Sequence, residues 1–243
     1  MPLQPTEELS FAGAHLSAYS YIYDKKSAAT DRDVRAVYTL RMPDGDDIRM
    51  TMWMKGEADR KVFTALSPMT EGLSRLPDMP YRVKEQPTLT FVARQGGEAW
   101  NRPFVAVYEP SSERERGTVT SVAYPEVESP DAGSHVAVRV MHADGRSDLL
   151  LSSDHSGHTL SAEGVTARAA FAQYSRSAAG ETCFMADGTL LRAGQAELSA
   201  AVPGNVLLEP DGDGWKYSAS VPFTWSYGGQ RRDFAAGTGR IQR

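Results

Sequence analysis

An all-β fold, an antiparallel β-sandwich of two stacked sheets with little helix, is what this 243-residue sequence predicts. Three observations predict it. Apolar and polar residues alternate with a period of two through most of the chain, which places them on opposite faces of strands. Asp-Gly pairs punctuate these runs, and that dipeptide tolerates the positive φ angles of tight turns. Helix-like spacing is scarce. Many short strands with turn signals between them indicate a sandwich or barrel, and residues 1–243 read as one domain.

Taken in order, Ile48, Met50, Met52 and Met54 share one strand face, with Arg49, Thr51 and Trp53 on the other. Residues 57–66 could hold a helical turn, but Val62, Phe63 and Thr64 favour a strand. The stretch 67–87 carries Pro68, Gly72, Pro77, Pro80 and Pro87 and reads as a long loop. Runs 88–92, 104–108, 149–151 and 206–208 read as more fully buried strands. The charged segment 111–117 (Glu113, Arg114, Glu115, Arg116) reads as a solvated hairpin end. Residues 135–142 and 147–153 form the clearest hairpin, joined through Asp144-Gly145. Val165, Ala167, Ala169 and Phe171 share a further face. Asp-Gly at 44–45, 187–188, 211–212 and 213–214 marks other expected turns.

Composition excludes several classes. The net charge is −5, from 26 Lys plus Arg against 31 Asp plus Glu, with no basic block. A nucleic-acid partner and an anionic membrane surface are therefore not expected. No apolar run approaches the length of a spanning helix, so no membrane partner is expected. The single cysteine, Cys183, leaves no internal disulfide framework and reads as an inert core residue. The N-terminal residues lack the basic and apolar regions of a secretory signal, which predicts a cytoplasmic chain where Met1 is the natural start of the protein. Arginine outnumbers lysine 20 to 6. That suits bidentate recognition of carboxylates, uronic-acid sugars among them, and equally reflects a compositional bias.

Few residues stand out as chemical. Asp154, His155 and His158 make the most metal-like segment, but zinc needs a third protein ligand and the sequence offers none, so no metal and no cofactor are expected. His142 ends an apolar face and reads as a hydrogen-bonded residue at the core edge. Tyr19, Tyr21 and Tyr23 share a face near His15; they can stack on sugar rings, supply a phenolic acid or base, or pack against another domain. No phosphate loop, nucleophile elbow or zinc-protease motif is present, and the catalytic residues stay unknown.

Residues 86–110 are the most distinctive. They read as strand, polar turn, strand, and the turn gathers Arg94, Gln95, Glu98, Trp100, Asn101 and Arg102. Two guanidiniums, an indole and amides suit an acidic sugar surface, or an inter-domain contact. The order Arg94-Gln95, then Gly97-Glu98-Ala99-Trp100, then Arg102-Pro103-Phe104-Val105 and Val107-Tyr108-Glu109-Pro110, resembles the C-terminal β-domain of heparinase II/III-like polysaccharide lyases. Met50 to Gly56, Phe63 to Pro68 and Gly145 to Leu149 fit the same picture, so the resemblance covers about residues 6–160.

The resemblance implies a β-elimination reaction on uronic-acid polysaccharides, with catalysis housed mainly in an upstream helical toroid. It implies that Arg94, Glu98, Trp100, Asn101 and Arg102 bind substrate, and that this chain is an accessory domain, inactive without the toroid. The partners implied are an acidic polysaccharide and that toroid, in an exported protein. A stand-alone carbohydrate-binding module for acidic glycans is the alternative.

Overall fold

The computed structural model describes residues 2–7, 22–42, 45–67, 87–97 and 101–242. Among them the secondary structure is β throughout, every strand pairing is antiparallel, and no α-helix occurs. No helix of the described residues is long and apolar enough to cross a membrane. The chain forms two compact units, Met1–Gly117 and Thr118–Arg243.

The first unit contains β1 (Gln4–Pro5), β2 (Tyr23–Ala29), β3 (Val34–Leu40), β4 (Ile48–Met54), β5 (Arg60–Ser67), β6 (Thr88–Gln95) and β7 (Ala106–Ser111). One sheet runs β1-β2-β5-β6 and the other β3-β4-β7. The methionine-rich alternation lies in β4 as expected. Because β4 is a central strand, its second half from Thr51 to Met54 is buried on both faces. At 57–66 the β-branched and aromatic residues prevail: β5 begins at Arg60, with Val62, Phe63 and Ala65 buried.

Two strands expected to be more fully buried are only half-buried. β6 and β7 each lie at a sheet edge, and Leu89 and Tyr108 are 52% and 59% exposed. An apolar run reads the same from sequence at an edge or a centre; strand order decides which it is. The long loop expected at 67–87 falls largely outside the described residues.

The second unit contains β8 (Val119–Ala123), β9 (His135–His142), β10 (Ser147–Ser153), β11 (Thr159–Ala162), β12 (Val165–Ser177) and β13 (Gly180–Ala193). It continues through β14 (Ala196–Asp211), β15 (Gly214–Ala219), β16 (Phe223–Tyr227), β17 (Gln230–Phe234) and β18 (Gly237–Ile241). These eleven strands form one hydrogen-bonded sheet. The expected hairpin is β9 and β10, turning through Gly145 at φ +83°.

That sheet stacks on itself through three long strands. β12 pairs its first half with β11 and its second with β10, while β14 pairs first with β16 and then with β15. Register irregularities fall between Arg168 and Ala169 and on both sides of Gly188. Bulged strands that pass from one layer to another make the corners of such sandwiches. Across the fold, Trp215 of β15 meets Trp225 and Tyr227 of β16, with ring centroids 5.4 and 4.7 Å away. Leu151, Leu160, Met185, Leu191, Leu198 and Leu208 are almost wholly buried in this core.

Asp187-Gly188 differs from the expected hairpin turn. It lies within β13, with Asp187 at φ +47°, and forms the corner bulge.

Candidate functional site

The polar turn after β6 is organised by a residue that no sequence motif marks. Arg60, 1% exposed, starts β5. Its Nε donates to Gln95 Oε1 at 3.0 Å and its Nη1 to the Lys55 carbonyl at 2.7 Å. Its Nη2 reaches the carbonyls of Arg102 and Pro103, both at 3.4 Å, and the guanidinium stacks 4.8 Å from the Phe104 ring centroid. Burial pulls this guanidinium below its usual pKa, and the Glu57 carboxylate opposes that shift. One buried fork thus joins the segment before β5 to the segments flanking the turn.

Of the residues named from sequence, Arg102 points at the same framework. Its Nη1 donates to the Ala58 carbonyl at 3.2 Å and lies 3.4 Å from Asp59 Oδ2. Arg94 lies opposite Lys61 on β6 and is exposed; its guanidinium carbon is 5.9 Å from the Phe63 ring centroid. Asn101 is exposed. Glu98 and Trp100 lie outside the described residues, as do His15, Tyr19 and Tyr21. Tyr23 opens β2 and is 49% exposed.

A larger concavity occupies the second unit. This cleft of about 770 Å³ is lined by Arg139, Ser147, Glu163, Tyr174 and Arg176 above apolar Leu149. Strand register brings them together. Arg139, Leu149 and Tyr174 are cross-strand neighbours in one row, and Met141, Ser147 and Arg176 form the next. Arg139 Nη1 donates to Glu163 Oε1 at 2.7 Å, whereas its Nε is buried without a hydrogen-bond partner. Arg176 is exposed. Two guanidiniums beside apolar surface suit a carboxylate or sulfate carried on a ring. The Tyr174 hydroxyl donates to Glu181 Oε1 at 2.7 Å; burial foremost, then that hydrogen bond, drives its pKa upward.

His142 is the bonded core-edge residue that its position predicts. It is 9% exposed, its Nε2 lies 2.8 Å from Asp148 Oδ2, and its Nδ1 lies 3.1 Å from Thr118 Oγ1. Cys183 is buried, and desolvation pushes its thiol up to about 12.

The segment 154–158 sits between β10 and β11. His155 and His158 stack with centroids 4.8 Å apart, and Asp154 Oδ1 is 3.7 Å from His158 Nδ1. The third group that the sequence lacked comes from β9: donor atoms of His135, Asp154 and His158 all lie within 4.8 Å of one another. The Ser134 N–H bond, ahead of the two imidazoles, holds the Asp154 carboxyl below its usual pKa.

No protein-family model matches the chain, and no solved structure does. An endo-acting ulvan lyase of Formosa agariphila is 34% identical over 94 residues, which are 38% of this chain and 10% of that lyase. The chain therefore matches about a tenth of the length of that curated relative. Over this stretch it is related to a polysaccharide lyase, and its fold is the all-β one described above.

Proposed function

We propose that this chain is an accessory, C-terminal β-domain of a heparinase II/III-like lyase that cleaves uronic-acid polysaccharides by β-elimination. The similarity to an ulvan lyase carries this reading. β-Elimination removes the C5 proton, neutralises the adjacent carboxylate and protonates the departing O4. A base near neutral pKa is needed for the first step. Two described candidates are poorly placed for it: the Tyr174 phenol is tied to Glu181 with its pKa raised, and His142 is held between Asp148 and Thr118. In this reading the acid and base belong to a helical toroid, and this domain contributes binding and support.

Arg94, Asn101 and Arg102, with Glu98 and Trp100, form the proposed substrate surface. Arg94 contributes its exposed guanidinium, while Arg102 stiffens the turn through Ala58 and Asp59. Incubating the 243-residue chain with a panel of acidic polysaccharides and following the unsaturated uronate by ultraviolet absorbance tests the reading. Binding without product is expected, with weaker binding by Arg94→Ala. Product formation would place catalysis within this domain and overturn the accessory role; a folded chain that neither binds nor cleaves would remove the carbohydrate role.

A second reading, a stand-alone binding module for acidic glycans, is favoured by the cleft between Arg139 and Arg176. It requires full affinity without any helical domain.

A further inference from the structure

We propose that an aromatic cavity between the two layers of the second unit binds one neutral pyranose ring. The inference goes beyond the lyase reading and does not depend on it. The cavity shares no described residue with the turn after β6 or with the cleft between Arg139 and Arg176.

Strand register builds the cavity. β14 pairs with β16 through its first half and with β15 through its second, so these two strands belong to opposite layers. On one layer Trp215 of β15 lies opposite Ile241 of β18. On the other, Trp225 of β16 lies opposite Arg232 of β17, and Tyr227 lies opposite Gln230. The turn between β16 and β17 is two glycines with positive φ, +56° at Gly228 and +83° at Gly229, which is what the tightest hairpin requires. It brings Tyr227 and Gln230 together at the lip.

The floor is dry and the rim is wet. Trp215, Trp225 and Ile241 are 2%, 3% and 4% exposed, whereas Gln230 and Arg232 are exposed. Trp225 and Tyr227 lie nearly parallel, 17° apart, and Trp215 meets them at 68° and 60°. The cavity measures about 140 Å³. An apolar cavity of about 150 Å³ holds one benzene-sized ring, so the space suits a single six-membered ring. An apolar floor with a few polar groups around it is the usual make-up of a small-molecule site.

Trp225 also carries an unmet need. Its Nε1 is buried and has no hydrogen-bond partner among the described residues, whereas Trp215 Nε1 donates to the Glu181 carbonyl at 3.2 Å. A buried donor left unpaired is costly, and an acceptor oxygen brought in by a ligand would satisfy it.

The donor set selects the ligand. No carboxylate is among the described residues that line the cavity, and Arg232 stands at its rim, so a cation is not what the aromatic walls hold. Each terminal nitrogen of Arg232 is already engaged, Nη1 by the Gln242 carbonyl and Nη2 by Gln230 Oε1, both at 3.1 Å. The guanidinium therefore does not present an open fork to a carboxylate. A plain aromatic ring would leave the indole, guanidinium and amide donors unused. A neutral pyranose meets both demands: its C–H face packs on the aromatic rings, and its hydroxyls accept and donate at the rim.

The full chain, labelled with nitrogen-15, is titrated with neutral methyl pyranosides, with trisaccharides ending in the same sugars, and with methyl glucuronide. The indole N–H signals are followed by NMR after assignment through the backbone. A saturable shift of the Trp225 and Trp215 signals by at least one neutral sugar is expected. Trp225→Phe keeps an aromatic ring but removes the N–H, and should weaken binding about fivefold, the loss of one neutral hydrogen bond. Affinity is then read at the Trp215 signal, with folding checked by circular dichroism. Arg232→Ala alters only the exposed rim and should weaken binding similarly, which keeps the test decisive where the buried substitution disturbs the core. Arg94→Ala should bind the neutral sugar as the parent does. No saturable shift with any neutral sugar would overturn the proposal, and so would undiminished affinity in Arg232→Ala or tighter binding of the glucuronide. Such a failure would leave the binding of acidic polysaccharides, read through Arg94→Ala, untouched.

Discussion

Arg60 and Gln95 stand 35 residues apart in sequence, yet the Nε of one donates to the Oε1 of the other at 3.0 Å. Gln95 in turn donates its Nε2 to the Ala58 carbonyl at 2.7 Å, so the two side chains lock the β4–β5 connection to the end of β6. Replacing Arg60 with methionine keeps the apolar stem but leaves three backbone carbonyls and the Gln95 amide oxygen without their donor. The expected loss is about 3 kcal/mol in urea unfolding, since bonds from a charged donor contribute more than neutral ones. Arg60→Lys should rescue little of it, because an ammonium lacks the planar fork. Unchanged stability in either variant would refute this role.

Gly188 sits at the sandwich corner opposite Ala169, where an added Cβ would come within 2.5 Å of the Ala169 Cβ. Gly188→Ala should therefore force the β12–β13 pair apart. A loss of roughly 1–3 kcal/mol is expected from overpacking, read as a lower urea midpoint. Gly145→Ala tests a different strain: nothing crowds its Cβ, but the residue sits at φ +83°. It should cost less, about 1 kcal/mol.

Alkaline pH should unfold the second unit through two buried groups. Desolvation holds the Cys183 thiol up to about 12, and burial with the Glu181 hydrogen bond raises Tyr174 further. In the unfolded chain a thiol deprotonates at about 8.5 and a phenol at about 10. Above those values the unfolded state has released protons that the folded state keeps, so stability falls as pH rises. The contribution is complete below about pH 8.5 and declines toward pH 12. Cys183→Ala should flatten the earlier part of the decline and Tyr174→Phe the later part, in urea midpoints measured from pH 7 to 11. Parent-like slopes in both variants would show that other groups govern the transition.

Arg176 offers an exposed guanidinium beside the cleft. Arg176→Ala should lower affinity for uronate or sulfated oligosaccharides by about tenfold, the loss of one charge-assisted contact. Neutral oligosaccharides and Tm should be unaffected. Equal effects on charged and neutral sugars would deny the residue a role in recognising the anion.

Much of the secondary structure was legible because alternation is local. The β9–β10 hairpin, the β12 face from Val165 to Ala169 and the buried state of Cys183 follow from which neighbours are apolar; beyond the bulge the buried face passes to Ala172 and Tyr174 and leaves Phe171 off it. Where a pattern has two structural meanings, sequence cannot separate them. Asp187-Gly188 reads as a turn, yet its strand continues, since a corner bulge needs the same positive φ as a hairpin. The β6 and β7 runs read as buried strands, although edge positions leave Leu89 and Tyr108 largely exposed.

What the sequence by itself determined was the all-β class, the turn residues and two of the three donors in the histidine cluster. Only the tertiary structure decided that His135 lies beside Asp154 and His158, that Arg60 organises the polar turn, and that Arg139 and Arg176 share a cleft. The physical reason is common to all three: each depends on strand register, which joins residues distant in sequence. Register is the outcome of packing the whole unit and leaves no mark in the short-range pattern of any one strand.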